Sequence, residues 1–209
     1  VFANAGITRR IGQVHNLEVG VGYQNISVED RVQGAPYSYL PHDGTTAEFF
    51  TLRAHFKTDR RDYLHYPTQG YMVEAELMQY GLGLLESAPE VLDLSGGLHG
   101  HQQLAKNKMH VSGAVLWKWN ASGTQPYALQ RGLGYQTRAV RGYELNVMDG
   151  QSFAVLKTGW RYQLISANRF SLPVIGKQAF SETLLRVYLG AHFDAGYVQD
   201  DIYSHQDIP

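Results

Sequence analysis

Cysteine is absent from this 209-residue chain, which removes disulfide frameworks, zinc-thiolate sites and thiol nucleophiles together. No apolar run reaches the roughly 18 residues that a membrane-crossing helix needs, and mean hydropathy is polar at -0.30. The chain opens at Val1 without a charged and then apolar leader. The expectation is therefore a removed leader or a segment from the interior of a longer protein. Formal net charge is only -1 and no basic stripe is present, so a nucleic-acid partner has no support. No Gly-x-Ser-x-Gly elbow occurs, nor any nucleotide-binding motif, and the expectation is a protein without cofactor that is not an enzyme.

Aromatic residues make up 12% of the chain, and 22 residues are glycine. With frequent β-branched residues and few helix formers in register, that composition points to an all-β fold. Successive side chains of a strand point to opposite faces, so a two-residue period tests the idea directly. In 47–57, Phe50, Leu52, Ala54 and Phe56 alternate with Thr51, Arg53, His55 and Lys57. In 71–78, Tyr71, Val73, Ala75 and Leu77 oppose Glu74 and Glu76. Trp117 and Val115 oppose Lys118 and His110 in 109–119, and Leu156 and Trp160 oppose Lys157 and Arg161 in 153–164. In 184–197, Leu189, Ala191 and Phe193 oppose Arg186, His192 and Asp194. Segments 1–10, 15–27 and 90–105 follow the rule less cleanly.

The pattern fits two architectures. A soluble barrel or sandwich turns its apolar side inward, whereas a transmembrane barrel turns it to lipid and keeps a polar interior. Ionised groups recur on the polar side of strand after strand. The strands also run longer than the usual 5–6 residues and match the 9–11 residues of a tilted bilayer crossing. Both features favour a transmembrane antiparallel up-and-down β-barrel. Residues 1–209 then form part of a single barrel domain, with about eight strands visible. Short turns at 11–14 and 106–108 fall at one end, and the Gly-, Pro- and Ser-rich connections 28–46 and 120–150 at the other. Segment 165–183, long on the short-turn side, reads as an insertion or an interfacial segment around Pro173.

Within the long loop 120–150 lies Val140-Arg141-Gly142-Tyr143, a charged, turn-forming tip in a loop too long for a simple hairpin. Asp194, on the polar face of a later strand, is the natural partner of the Arg141 guanidinium. Two further motifs stand out. One is Asp59-Arg60-Arg61-Asp62 followed by Tyr66-Pro67-Thr68-Gln69-Gly70-Tyr71; the other is Phe193-Asp194-Ala195-Gly196.

On these three stretches, in their order along the chain, the sequence resembles the barrel portion of the BamA-type outer-membrane assembly factors. That superfamily also includes two-partner secretion transporters and barrels fused to patatin-like lipases. The resemblance spans roughly residues 45–198. It makes 120–150 the sixth extracellular loop, with Val140, Arg141, Gly142 and Tyr143 at its tip and Phe193, Asp194 and Gly196 as the strand motif beside it. It makes Asp59, Arg60, Pro67, Thr68 and Gly70 a periplasmic turn. It implies the middle of a sixteen-stranded barrel in a bacterial outer membrane that inserts β-barrel proteins or moves polypeptide across that membrane. The implied partners are outer-membrane lipid, unfolded or nascent β-barrel clients, and periplasmic domains or accessory proteins outside this chain. Members often carry a Glu on the strand after the sixth loop, just before an aromatic-Arg pair. Here Gly159 precedes Trp160-Arg161, which implies heavier reliance on Asp194.

The competing readings are a passive porin-like channel, the membrane anchor of a fused enzyme, and a soluble ligand-binding barrel. His99, His101 and His110 have spacing that could hold zinc, but without a carboxylate in register they read as polar filling and no metal is expected. Asp200, Asp201, His205 and Asp207 could supply general-base chemistry and read instead as a solvated terminal loop.

Overall fold

The computed structural model describes residues 1–29, 39–40, 45–85, 88–105, 108–123, 125–171 and 182–200. Eight strands follow one another: β1 (Phe2–Ile11), β2 (His15–Ser27), β3 (Thr46–Asp59), β4 (Gly70–Tyr80), β5 (Val91–Leu104), β6 (Met109–Asn120), β7 (Ser152–Ser171) and β8 (Glu182–Gln199). They form one antiparallel sheet in the order β1-β2-β3-β4-β5-β6-β7-β8, an up-and-down meander. Each strand pairs with its sequence neighbour, while β1 and β8 have no pairing with one another, so the sheet is open. Among the described residues no helix is long and apolar enough to cross a membrane; two single 3₁₀ turns lie between β6 and β7.

Register decides which residues share a face, because directly paired residues point the same way. One cross-strand row runs Ile7, Val19, Ala54, Leu77, Leu94 and Trp119. The next contains Leu17, Phe56, Ala75, Gly96, Trp117, Ala154 and Tyr197. This face is bare: Phe56, Trp119 and Leu189 remain 39%, 56% and 54% exposed. The opposite face carries the row His55, Glu76, Ser95 and Lys118. It is the covered face, with Thr51, Asp93, His110 and Lys118 all buried.

The small cores lie on that covered face, where the long connections fold back. One packs Ala47 and Phe49 of β3 and Val91 of β5 against Leu40 and Leu129 from the connections. The other packs Leu116, Phe153 and Val155 against Leu133, with Val140 alongside. Phe153 and Val155 therefore depart from the polar character that the alternation assigns to their face. Across the middle strands, Arg53 binds Glu76 through Nε at 2.7 Å and Glu18 through Nη1 at 2.6 Å, tying β2, β3 and β4 together.

Part of segment 165–183, read as an insertion or an interfacial segment around Pro173, belongs to the sheet. Residues 165–171 continue β7 and pair with β8 as far as Ser171 opposite Glu182, past register shifts between Gln163 and Ile165 and between Ile165 and Asn168. A bulge lets the pairing continue where strict alternation fails, so the periodic signal ends before the strand does. Pro173 lies outside the described residues.

Candidate functional site

The connection from β6 to β7 is held on the covered face at three places. At its start, Asp93 of β5 and Lys118 of β6 form a buried pair with Nζ 3.6 Å from Oδ2. Gln125 joins them, its Nε2 donating to Asp93 Oδ2 at 3.2 Å and to the Leu129 carbonyl at 3.1 Å. Asn120 donates to the other Asp93 oxygen at 3.2 Å. A buried carboxylate is stable only with such compensation.

In the middle, the loop pairs with itself. Leu133 and Met148 exchange backbone hydrogen bonds of 2.8 and 3.1 Å, and the hydroxyls of Tyr127 and Tyr135 both donate to Asp149, at 3.0 and 2.5 Å. The bond to Asp149 raises the Tyr135 pKa. The Arg138 guanidinium lies 4.9 Å from the centroid of the Phe153 ring, a cation–π contact.

The third hold is the tip. The Arg141 main-chain N–H donates to Asp194 Oδ2 at 3.1 Å, and its Nε lies 3.4 Å from the same oxygen. Its Nη1 also reaches the Thr158 carbonyl of β7 at 3.4 Å. The Asp194 side chain is 2% exposed, whereas that of Arg141 is 43% exposed. The carboxylate is thus a buried receptor and the arginine a half-solvated clasp. Asp194 Oδ1 takes no hydrogen bond among the described residues.

Gly142 adopts φ +87°, which glycine supplies without a Cβ penalty, and the Tyr143 N–H closes the turn on the Val140 carbonyl at 2.9 Å. The Gly142 N–H donates to Glu144, and this, with the Glu144 N–H itself, holds that carboxyl below its usual pKa. Gly196 is the floor under the tip: a Cβ there would lie 2.6 Å from Leu133 Cδ1 and 3.0 Å from Val140 Cγ2. Glycine lets the loop approach the β8 backbone. Tyr143 is 60% exposed and Phe193 62% exposed on the bare face, so neither side chain joins the contact.

Gly159 sits between Ser112 and His192 in register. A Cβ at that position would lie 2.7 Å from Ser112 Oγ and 3.2 Å from His192 Nδ1. These side chains occupy the space a larger residue would need.

The second motif builds the connection from β3 to β4. Asp59 takes two hydrogen bonds from the Arg61 guanidinium, at 2.8 and 2.6 Å. Asp62 Oδ1 accepts from the N–H groups of Tyr63, Thr68 and Gln69 at 3.0, 2.9 and 3.1 Å, and Oδ2 accepts from the Thr68 hydroxyl. Slight burial opposes ionisation of Asp62, but these donors outweigh it and hold its pKa down at about 2. Gly70 adopts φ +102°, and a Cβ would come within 2.1 Å of the Arg60 carbonyl oxygen. Pro67 offers its carbonyl to Arg161 Nη2 of β7 at 3.2 Å, so this connection reaches across the covered face.

Sequence reasoning missed the Asp93–Lys118–Gln125 anchor. The parity of Asp93 between Leu92 and Leu94 places it on the polar face, but nothing in the aperiodic loop marks Gln125 as its partner. Among the described residues no group of three or more His, Asp or Glu side chains is placed to hold a metal ion. Asp201, His205 and Asp207 lie outside the described residues.

These features define a class of protein by form: an open antiparallel meander, apolar on its bare face, with its own long loop clasped to the other. No family model matches the chain, and no curated protein matches it in sequence.

Proposed function

We propose that this chain is part of a transmembrane β-barrel in a bacterial outer membrane, and that the barrel belongs to a factor that assembles or translocates other polypeptides. One observation carries the membrane reading. An apolar face spanning all eight strands is bare, while the chain's own connections pack on the opposite, charged face over β3 and β5 to β7. A contiguous apolar surface of that extent needs a partner, and lipid meets strands with this alternation.

The assembly reading rests on the resemblance of the three motifs and on the clasp between Arg141 and Asp194. A loop laid across the polar face obstructs a simple pore and favours a protein whose interior is held in a particular state. The edges of β1 and β8, unpaired among the described residues, fit the same reading, since unpaired backbone groups can template an incoming strand. The remainder of the barrel, or a client strand, would occupy them.

The membrane arm of the proposal is tested by fractionation and by heat-modifiable migration in detergent gels. A monodisperse monomer in the absence of detergent would overturn it. The assembly arm is tested by depletion. Loss of folded outer-membrane proteins is expected, whereas large, stable single-channel conductance with no assembly defect would establish a porin instead.

A further inference from the structure

At the short-turn end of the covered face lies a cleft of about 570 Å³, lined by Tyr63 and Tyr66 of the β3–β4 connection, His110 of β6, Arg161 of β7, and Arg186 and Tyr188 of β8. It is remote in sequence from the loop tip, and neither the clasp nor the proposed assembly activity makes use of it. Its volume is that of a small-molecule site.

Three observations give the cleft its chemistry. First, it contains two guanidinium groups, and neither forms an ion pair with a carboxylate among the described residues. Arg161 spends one donor on the Pro67 carbonyl, and the rest of its planar fork is available. Second, His110 is 5% exposed, lines the cleft, and has a buried Nδ1 without a hydrogen-bond partner. That nitrogen is closed to solvent, so it is the ring face and edge of His110, not Nδ1, that the cleft offers to a ligand. Third, the tyrosine rings supply flat apolar walls. Tyr188 packs edge-on to His110 with ring centroids 6.1 Å apart.

We infer that this cleft binds a small organic acid: a carboxylate held by Arg161 and Arg186 beside His110, joined to an aromatic body resting among the tyrosines. Guanidinium forks match a carboxylate in two parallel hydrogen bonds, and the rings add stacking area that an inorganic anion cannot use. The inference does not depend on the assembly reading, because it concerns only groups that line this cleft.

The test uses the purified full chain in non-ionic detergent, titrated with phenylacetate, phenylacetamide and inorganic phosphate by calorimetry. Saturable binding of phenylacetate is expected, with phenylacetamide and phosphate each weaker by about tenfold or more, as loss of a charge-assisted or stacking contact implies. Arg161→Gln and Arg186→Gln should each weaken phenylacetate binding to a similar degree. Glu144→Gln at the loop tip, outside the cleft, should retain it, which separates loss of a binding group from loss of folding; circular dichroism checks the sheet in every variant. Absence of saturable phenylacetate binding, equal binding of the amide, equal binding of phosphate, or indifference to both arginine substitutions would each overturn the inference.

Discussion

Arg141 and Asp194 contribute unequally to their contact. The arginine side chain is 43% exposed, so its ion pair contributes about 1 kcal/mol or less. The aspartate also receives the Arg141 main-chain N–H, a hydrogen bond of about 1 kcal/mol that Arg141→Ala leaves in place. Asp194→Ala should therefore free the loop more than Arg141→Ala. Chymotrypsin cleavage at exposed Tyr143 and Leu145 reads the difference, and equal rates for both variants would contradict this ranking. Gly196→Ala acts on the same tip by steric contact alone: its methyl meets Leu133 and Val140, and overpacking of this kind costs about 1–3 kcal/mol. Faster cleavage with Asp194 intact is the expected outcome. Asp62 gives a pH prediction. Its folded pKa of about 2 lies below the ordinary 3.8. Its stabilisation of the turn is thus fully present above 3.8 and is lost as pH falls through about 2. The amide resonances of Thr68 and Gln69 should titrate near that lower value, and a midpoint near 4 would refute the hydrogen-bond account.

Among the elements, the loop between β6 and β7 depends on its buried anchor. Asp93 and Lys118 have side chains 7% and 5% exposed, and removing one partner of a buried pair costs about 3–5 kcal/mol. Lys118→Met or Asp93→Leu alone should destabilise the loop by that order. The double variant should recover much of the loss, because no unpaired charge then remains. Thermal unfolding of the four proteins closes the cycle, and additive single losses would dismiss the pair as an energetic unit. The strands were legible because two-residue alternation sets parity, and parity alone assigns Arg53, Glu76 and Lys118 to one face. Phe153, Val155 and Leu116 were not legible as a core on that same face. Their partners Leu133 and Val140 come from an aperiodic loop, and no local pattern announces a tertiary contact. The pairing of Arg141 with Asp194 was readable from charge and parity. The main-chain bond and the role of Gly196 as a floor arise from how the loop lies on β8, which no local pattern encodes.

At the scale of the whole molecule, the open sheet leaves two strands whose edges are unpaired among the described residues and one apolar face that is bare. For a soluble domain such edges are a liability; in the proposed barrel they are joints to the remaining strands. The docked loop also constrains the order of events during folding. Its tip rests on Gly196 and Asp194, which lie 53 residues beyond Arg141 in the case of the aspartate, and on Phe153 and Val155 of the preceding strand. That seat exists only after β7 and β8 have zipped together, and contacts of long sequence separation form slowly. Protection of Tyr143 from chymotrypsin should accordingly be the last signal to mature on refolding, trailing the growth of sheet circular dichroism. A nascent chain halted before residue 182 would carry a finished anchor at Gln125 and a tip that lacks the Asp194 and Gly196 half of its seat.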